Sequence, residues 1–136
     1  MENPDILVVD DDSDLRRTLA VLLGKSHKVA EASGGAEALS LLKTLRPRLV
    51  LLDVTMPEMS GIEVLRAARA IHGALRVVML TSRQELEIAK SALDLGAIAY
   101  MTKPFDAIFI RAEVARLLKP ADGETDGGRP WRVVEK

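Results

Sequence analysis

Leu49-Val50-Leu51-Leu52-Asp53 is a run of four apolar residues that stops on a carboxylate, and its outline recurs along the chain. Ile6-Leu7-Val8-Val9 stops on Asp10-Asp11-Asp12, and Val77-Val78-Met79-Leu80 stops on Thr81-Ser82. None of these runs alternates between apolar and polar residues. A strand that is apolar on both faces has to be covered on both faces, as in a parallel sheet with helices on each side. The intervening stretches supply those helices. Leu15, Leu19, Leu22 and Leu23 fall on one helical face, with Asp12 or Ser13 as cap and Gly24 near the end. His27 to Ala32 reads as a half-buried strand. After Gly34-Gly35, the residues Ala38, Leu41, Leu42 and Leu45 repeat the helical spacing. Thr55 to Gly61 reads as a loop, Ile62 to Ile71 as a third helix, and Gln84 to Leu95 as a fourth, stopped by Gly96. A shorter strand runs from Ile98 to Thr102. A fifth helix carries Ile110, Val114, Leu117 and Leu118 and ends near Pro120. Five strands alternating with five helices predict an α/β fold, a (βα)5 doubly wound five-stranded parallel sheet.

Composition narrows the class. A chain of 136 residues suits one domain. With no cysteine it has no disulfide and no thiolate metal site. Twenty acids against nineteen bases leave a net charge of −1, which argues against a basic nucleic-acid-binding domain. One Trp, one Tyr and two Phe are too few for a base-stacking platform. No apolar run exceeds five residues, so no membrane span is expected. The acidic opening Met1-Glu2-Asn3-Pro4-Asp5 does not read as a secretory leader, and a cytoplasmic setting is expected.

In an open parallel sheet, ligands bind beyond the carboxyl ends of the strands. There the pattern gathers Asp10 and Asp11 after the first strand, Asp53 after the third, Thr81-Ser82 after the fourth and Lys103 after the fifth. Three like charges close together repel one another, and one divalent cation would offset them against Lys103. Carboxylates without histidine or cysteine favour a hard, oxygen-loving ion such as Mg²⁺, which commonly shares its sphere with a phosphate. Lys103 and the Thr81 hydroxyl suit phosphoryl oxygens. The set reads as a metal-assisted phosphoryl site with a carboxylate nucleophile.

Val-Val-Asp10-Asp11, Leu-Leu-Asp53-Val-Thr-Met-Pro57-Glu-Met-Ser-Gly61, Met-Leu-Thr81-Ser82 and Gly96-Ala97-Ile-Ala-Tyr100-Met-Thr-Lys103-Pro104-Phe105 resemble the receiver domains of two-component response regulators. The resemblance covers about residues 4–118. It implies a flavodoxin-like receiver fold and a phosphoryl group taken from a sensor histidine kinase, or a phosphotransfer protein, onto Asp53. It further implies Mg²⁺ held by Asp11 and Asp53 directly, by Asp10 through water and by the backbone carbonyl of Thr55. Thr81, Lys103 and the backbone N–H of Ser82 would hold the phosphoryl group. Thr81 and Tyr100 would form the switch, the aromatic turning inward as the threonine moves. Pro104 would follow a cis peptide bond.

Two other readings compete. The Asp-x-Thr after an apolar strand resembles the nucleophile of haloacid-dehalogenase-like phosphatases. In those enzymes, however, the nucleophilic strand comes first and a second Asp stands where Thr55 is. The other alternative is a receiver-like interaction module that never uses phosphate, against which the intact acids, threonine and lysine speak. Residues 1–118 are expected to form the receiver. Residues 119–136, with Gly and Pro early and Trp131-Arg132-Val133-Val134 late, read as a linker and the start of an output domain, expected to bind DNA. A homodimer could use the face of the fourth helix, last strand and fifth helix. That face carries Ile98, Ala99 and Phe109 where the DNA-binding relatives have acids. His27 and His72 lie away from the strand ends and are expected at the surface or a strand edge.

Overall fold

Strand and helix alternate along the whole described length, residues 3–119 of the computed structural model. The strands are β1 (Ile6–Val9), β2 (Val29–Ala32), β3 (Leu49–Asp53), β4 (Val77–Thr81) and β5 (Ala99–Thr102). The helices are α1 (Ser13–Gly24), α2 (Gly35–Leu42), α3 (Gly61–Ile71), α4 (Leu86–Asp94) and α5 (Ala107–Leu118). All strand pairs are parallel and the sheet order is β2-β1-β3-β4-β5. β1, β3, β4 and β5 are buried throughout, whereas β2, at an edge, is only partly covered.

Alternate residues of the buried strands point into two separate cores, because successive side chains of a strand face opposite ways. Leu7, Val9, Val50, Leu52, Val77, Met79 and Tyr100 meet α2, α3 and α4. Ile6, Val8, Leu49, Leu51, Val78, Leu80 and Met101 meet α1 and α5. This explains why the strands read as continuous apolar runs. Each of these side chains contributes roughly 1.5–3 kcal/mol by leaving water.

The strand order reverses direction between β1 and β3, which opens a crevice at their carboxyl ends. Caps set where the flanking helices begin. The Asp12 carboxylate accepts from the N–H groups of Asp14 and Leu15 at 3.0 and 3.1 Å, so Asp12 is the cap of α1. At α3, Ser60 and Glu63 form a reciprocal capping box.

Several boundaries differ from the expected ones for local reasons. β2 begins at Val29 rather than His27, since the N–H groups of Ser26 and His27 both close the end of α1 on the Leu23 carbonyl. α2 ends at Leu42, and Leu45 is buried from the turn that follows. A 3-10 turn, Arg83–Glu85, precedes α4. His72 lies at neither the surface nor the strand edge expected for it: it is half-buried at the end of α3, with Nε2 enclosed and without a hydrogen-bond partner among the described residues. The tail from residue 120 onward, including the expected linker and Trp131, lies outside the described residues.

Candidate functional site

The register of the central strands brings the acids together. Val9 pairs with Leu52 and Asp53 with Leu80, so β1, β3 and β4 end side by side. One carboxylate oxygen from each of Asp10, Asp11 and Asp53 lies within 4.8 Å of the others. Asp10 and Asp53 are buried, while Asp11 is exposed at the mouth. Lys103 reaches over from the end of β5. Its Nζ donates to Asp10 Oδ2 at 3.1 Å and to Asp53 Oδ1 at 3.0 Å. The backbone fixes its position: the Lys103 N–H donates to the Thr81 carbonyl at 2.7 Å, and the Lys103–Pro104 peptide bond is cis.

Asp10 has both oxygens engaged, Oδ2 with Lys103 and Oδ1 with the N–H of Asp12 at 2.9 Å. Asp11 and the second oxygen of Asp53 remain to face a ligand. The donors are all oxygen, as a small hard cation requires. The electrostatics agree. Burial, then the neighbouring Asp10 charge, push the Asp53 carboxyl from 3.8 up to about 6, against the opposing pull of Lys103. For Lys103 burial is the largest single influence and favours the neutral amine. The charges and hydrogen bonds of Asp53 and Asp10 outweigh it and hold the ammonium above its ordinary value.

Thr81 is fully buried at the tip of β4, and its hydroxyl donates to the carbonyl of Ser82 at 2.9 Å. Tyr100 is buried in the core beneath α4. Thr55 lies exposed in the loop after β3. On the expected dimer face Ile98 and Phe109 are partly covered, but Ala99 is fully buried, so it cannot contribute to a contact there.

Three contributors were not singled out in the sequence. Arg16, on α1, donates from its guanidinium to the Asp10 carbonyl at 2.8 Å and pairs with Glu31 of β2 at 3.1 Å, fixing the end of β1. Gly61 lets α3 start directly against Asp53: a Cβ there would lie 2.2 Å from the Asp53 carbonyl oxygen. Its place in the quoted Asp53–Gly61 stretch was the available signal. Glu85 joins two loops at the rim, accepting from the hydroxyls of Thr55 and Ser82. The Ser82–Glu85 contact is local, three residues apart, whereas Thr55–Glu85 and Arg16–Glu31 join distant segments that no local pattern announces. A groove of about 350 Å³ lies elsewhere, between α1 and α5 beside Leu22, His27, Ile108 and Ala112. No described helix is long and apolar enough to cross a membrane.

Comparison with known proteins matches this arrangement. The family model for the response regulator receiver domain covers residues 6–115. The chain is 37% identical over 119 residues to sporulation initiation phosphotransferase F of Bacillus subtilis, covering 87% of this chain and 96% of that protein. It is 40% identical over 120 residues to the DNA-binding response regulator MtrA of Mycobacterium tuberculosis, covering 88% of this chain but only 52% of the relative, so it spans about half of that protein's length. Among solved structures, the receiver domain of NtrX from Brucella abortus superimposes with a TM-score of 0.79 at 34% identity, covering 84% of this chain and 98% of that one. A five-stranded parallel sheet with its acids, threonine and lysine on one rim, matched by that family model over most of its length, makes this chain a member of the response regulator receiver domains of two-component systems.

Proposed function

We propose that the domain is a phosphorylation-driven switch and that Asp53 accepts the phosphoryl group from a sensor histidine kinase or phosphotransfer protein. The observation that carries this reading is the double contact of Lys103 with Asp10 and Asp53 at 3.1 and 3.0 Å inside the acidic cluster. A carboxylate oxygen of Asp53 attacks phosphorus. The new P–O bond forms as the P–N bond of a phosphohistidine donor breaks, and the electron pair leaves with the imidazole nitrogen. Asp53 acts as an anion, so with a carboxyl near 6 it is mostly competent at neutral pH. Asp11, Asp53 and the Thr55 backbone carbonyl would hold Mg²⁺ directly and Asp10 would do so through water, consistent with both Asp10 oxygens being engaged. When bound, the ion supplies positive charge against the acids and the incoming phosphoryl oxygens.

Lys103, the Thr81 hydroxyl and the Ser82 N–H then receive the phosphoryl oxygens. For Thr81 this means leaving the Ser82 carbonyl. Tyr100 already lies inward, so its part in the switch is to stay packed when Thr81 turns rather than to enter the core. Phosphate can shift the two states only through such differential contacts. We assign residues 1–118 to the receiver and 119–136 to a linker toward an output domain, transcriptional by analogy with the DNA-binding relatives, in a cytoplasmic protein. This receiver is not expected to bind nucleic acid itself, and any homodimer through the α4-β5-α5 face would rest on Ile98 and Phe109.

Incubation with acetyl phosphate and Mg²⁺ should add one phosphoryl mass per chain, and Asp53→Asn should add none. A full adduct on Asp53→Asn refutes the assignment. Continuous release of many phosphates per chain would favour the phosphatase reading instead.

A further inference from the structure

Glu85 ends the 3-10 turn Arg83–Glu85 and is half-buried. Its N–H donates to the Ser82 carbonyl at 3.1 Å. Its carboxylate accepts from the Ser82 hydroxyl at 3.1 Å through Oε1 and from the Thr55 hydroxyl through Oε2. One side chain thus ties the loop after β3 to the loop after β4. Thr55 stands two residues past Asp53, and Ser82 directly follows Thr81. Among the described residues the Glu85 carboxylate is held by two neutral hydroxyls and by no ion pair.

We infer that Glu85 is a positioning residue that holds Thr55 and Ser82 in the resting arrangement and whose charge slows entry of the phosphoryl group. The inference rests on the reading of Asp53 as acceptor. A dianionic donor has to approach a rim that carries three carboxylates, and Glu85 adds a fourth beside the two loops it must pass. The Ser82 carbonyl holds the Thr81 hydroxyl, and the Ser82 hydroxyl is held by Glu85. When Thr81 turns to a phosphoryl oxygen, it leaves the carbonyl of the residue whose hydroxyl Glu85 holds.

The test is the initial rate of phosphorylation by acetyl phosphate at saturating Mg²⁺, for the parent, Glu85→Gln, Glu85→Ala and Glu85→Asp. At low ionic strength Glu85→Gln and Glu85→Ala should react about threefold to tenfold faster, the size expected of one unit charge several ångströms from a dianion in a watery rim. In about 1 M salt, where screening acts within about 3 Å, the gain should fall toward parity. Glu85→Asp keeps the charge but shortens the tie, so at low ionic strength it should gain less than Glu85→Gln. A role confined to folding would move melting temperature without this salt dependence, and if Glu85→Ala does not fold, Glu85→Gln carries the test. Unchanged or slower rates for Glu85→Gln and Glu85→Ala where the parent does take the phosphoryl group, or a gain indifferent to salt, overturn the inference. A parent that takes no phosphoryl group from acetyl phosphate overturns the reading of Asp53 and this one with it.

Discussion

Leu52 and Asp53 are consecutive residues of β3, and both are almost wholly removed from water. Burial acts on them in opposite directions. For Leu49 to Leu52 it is the main source of stability. For Asp53 it penalises the charged form, and Asp10 beside it adds repulsion that Lys103 only partly offsets. The body of the strand thus stabilises the fold, and its tip holds a group that would be more stable elsewhere. The same features that destabilise the ionised carboxyl at rest make added positive charge beside it favourable, as the proposed phospho-acceptor role requires.

The largest effect should come from the body. Leu51 is fully buried against α1 and α5, so Leu51→Ala removes apolar contact and leaves a cavity. It should lose about 2–5 kcal/mol in urea unfolding. Phosphorylation of the fraction still folded should be unchanged. A loss below about 1 kcal/mol would mean that the two cores are looser than their burial indicates.

At the tip the sign reverses. The rise of Asp53 from 3.8 to about 6 amounts to about 3 kcal/mol against the ionised fold, an upper figure because water on the open side of the rim screens it. The folded carboxyl lies above its unfolded value, so between about pH 4 and pH 6 the folded state binds the extra proton and stability falls as pH rises. Below that window the penalty vanishes, and above it the penalty is complete. In chelator, Asp53→Asn should therefore be about 1–3 kcal/mol more stable than the parent at pH 8 and equal to it near pH 4. A constant difference across that range would assign the gain to shape rather than charge.

The same contrast explains what could be read beforehand. Apolar runs ending in acids are local, so the sheet, its two helical layers and the positions of Asp10, Asp11, Asp53, Thr81 and Lys103 followed from spacing. The convergence of strand ends then put those side chains on one rim. What escaped depends on packing and hydrogen bonds that apolar spacing does not encode. The 3-10 turn before α4 ends on Glu85, whose carboxylate accepts from Thr55, 30 residues earlier. The full burial of Ala99 follows from β5 lying between the fifth helix and the sheet's other core, so its side chain faces inward whatever its neighbours suggest. His27 looked like a strand residue until its N–H was taken by the end of α1.

The finest version of the comparison lies within Asp11-Asp12, two adjacent acids with different tasks. Asp12 is bonded to the first N–H groups of α1, so Asp12→Ala should cost about 1 kcal/mol, with or without metal. Asp11 is exposed, and its charge is the weakest of the influences on Asp53, so Asp11→Ala in chelator should gain only a few tenths of a kcal/mol. Mg²⁺ should separate them more sharply than either stability value. A ligand that binds only the folded state raises stability by about 1.4 kcal/mol at ten times its Kd. Melting of the parent and of Asp12→Ala should therefore rise with Mg²⁺, while melting of Asp11→Ala should stay nearly flat over the same range. If Asp12→Ala lost the response and Asp11→Ala kept it, the metal-facing acid would be one residue further along the chain, and the cap of α1 would have been mistaken for a bystander.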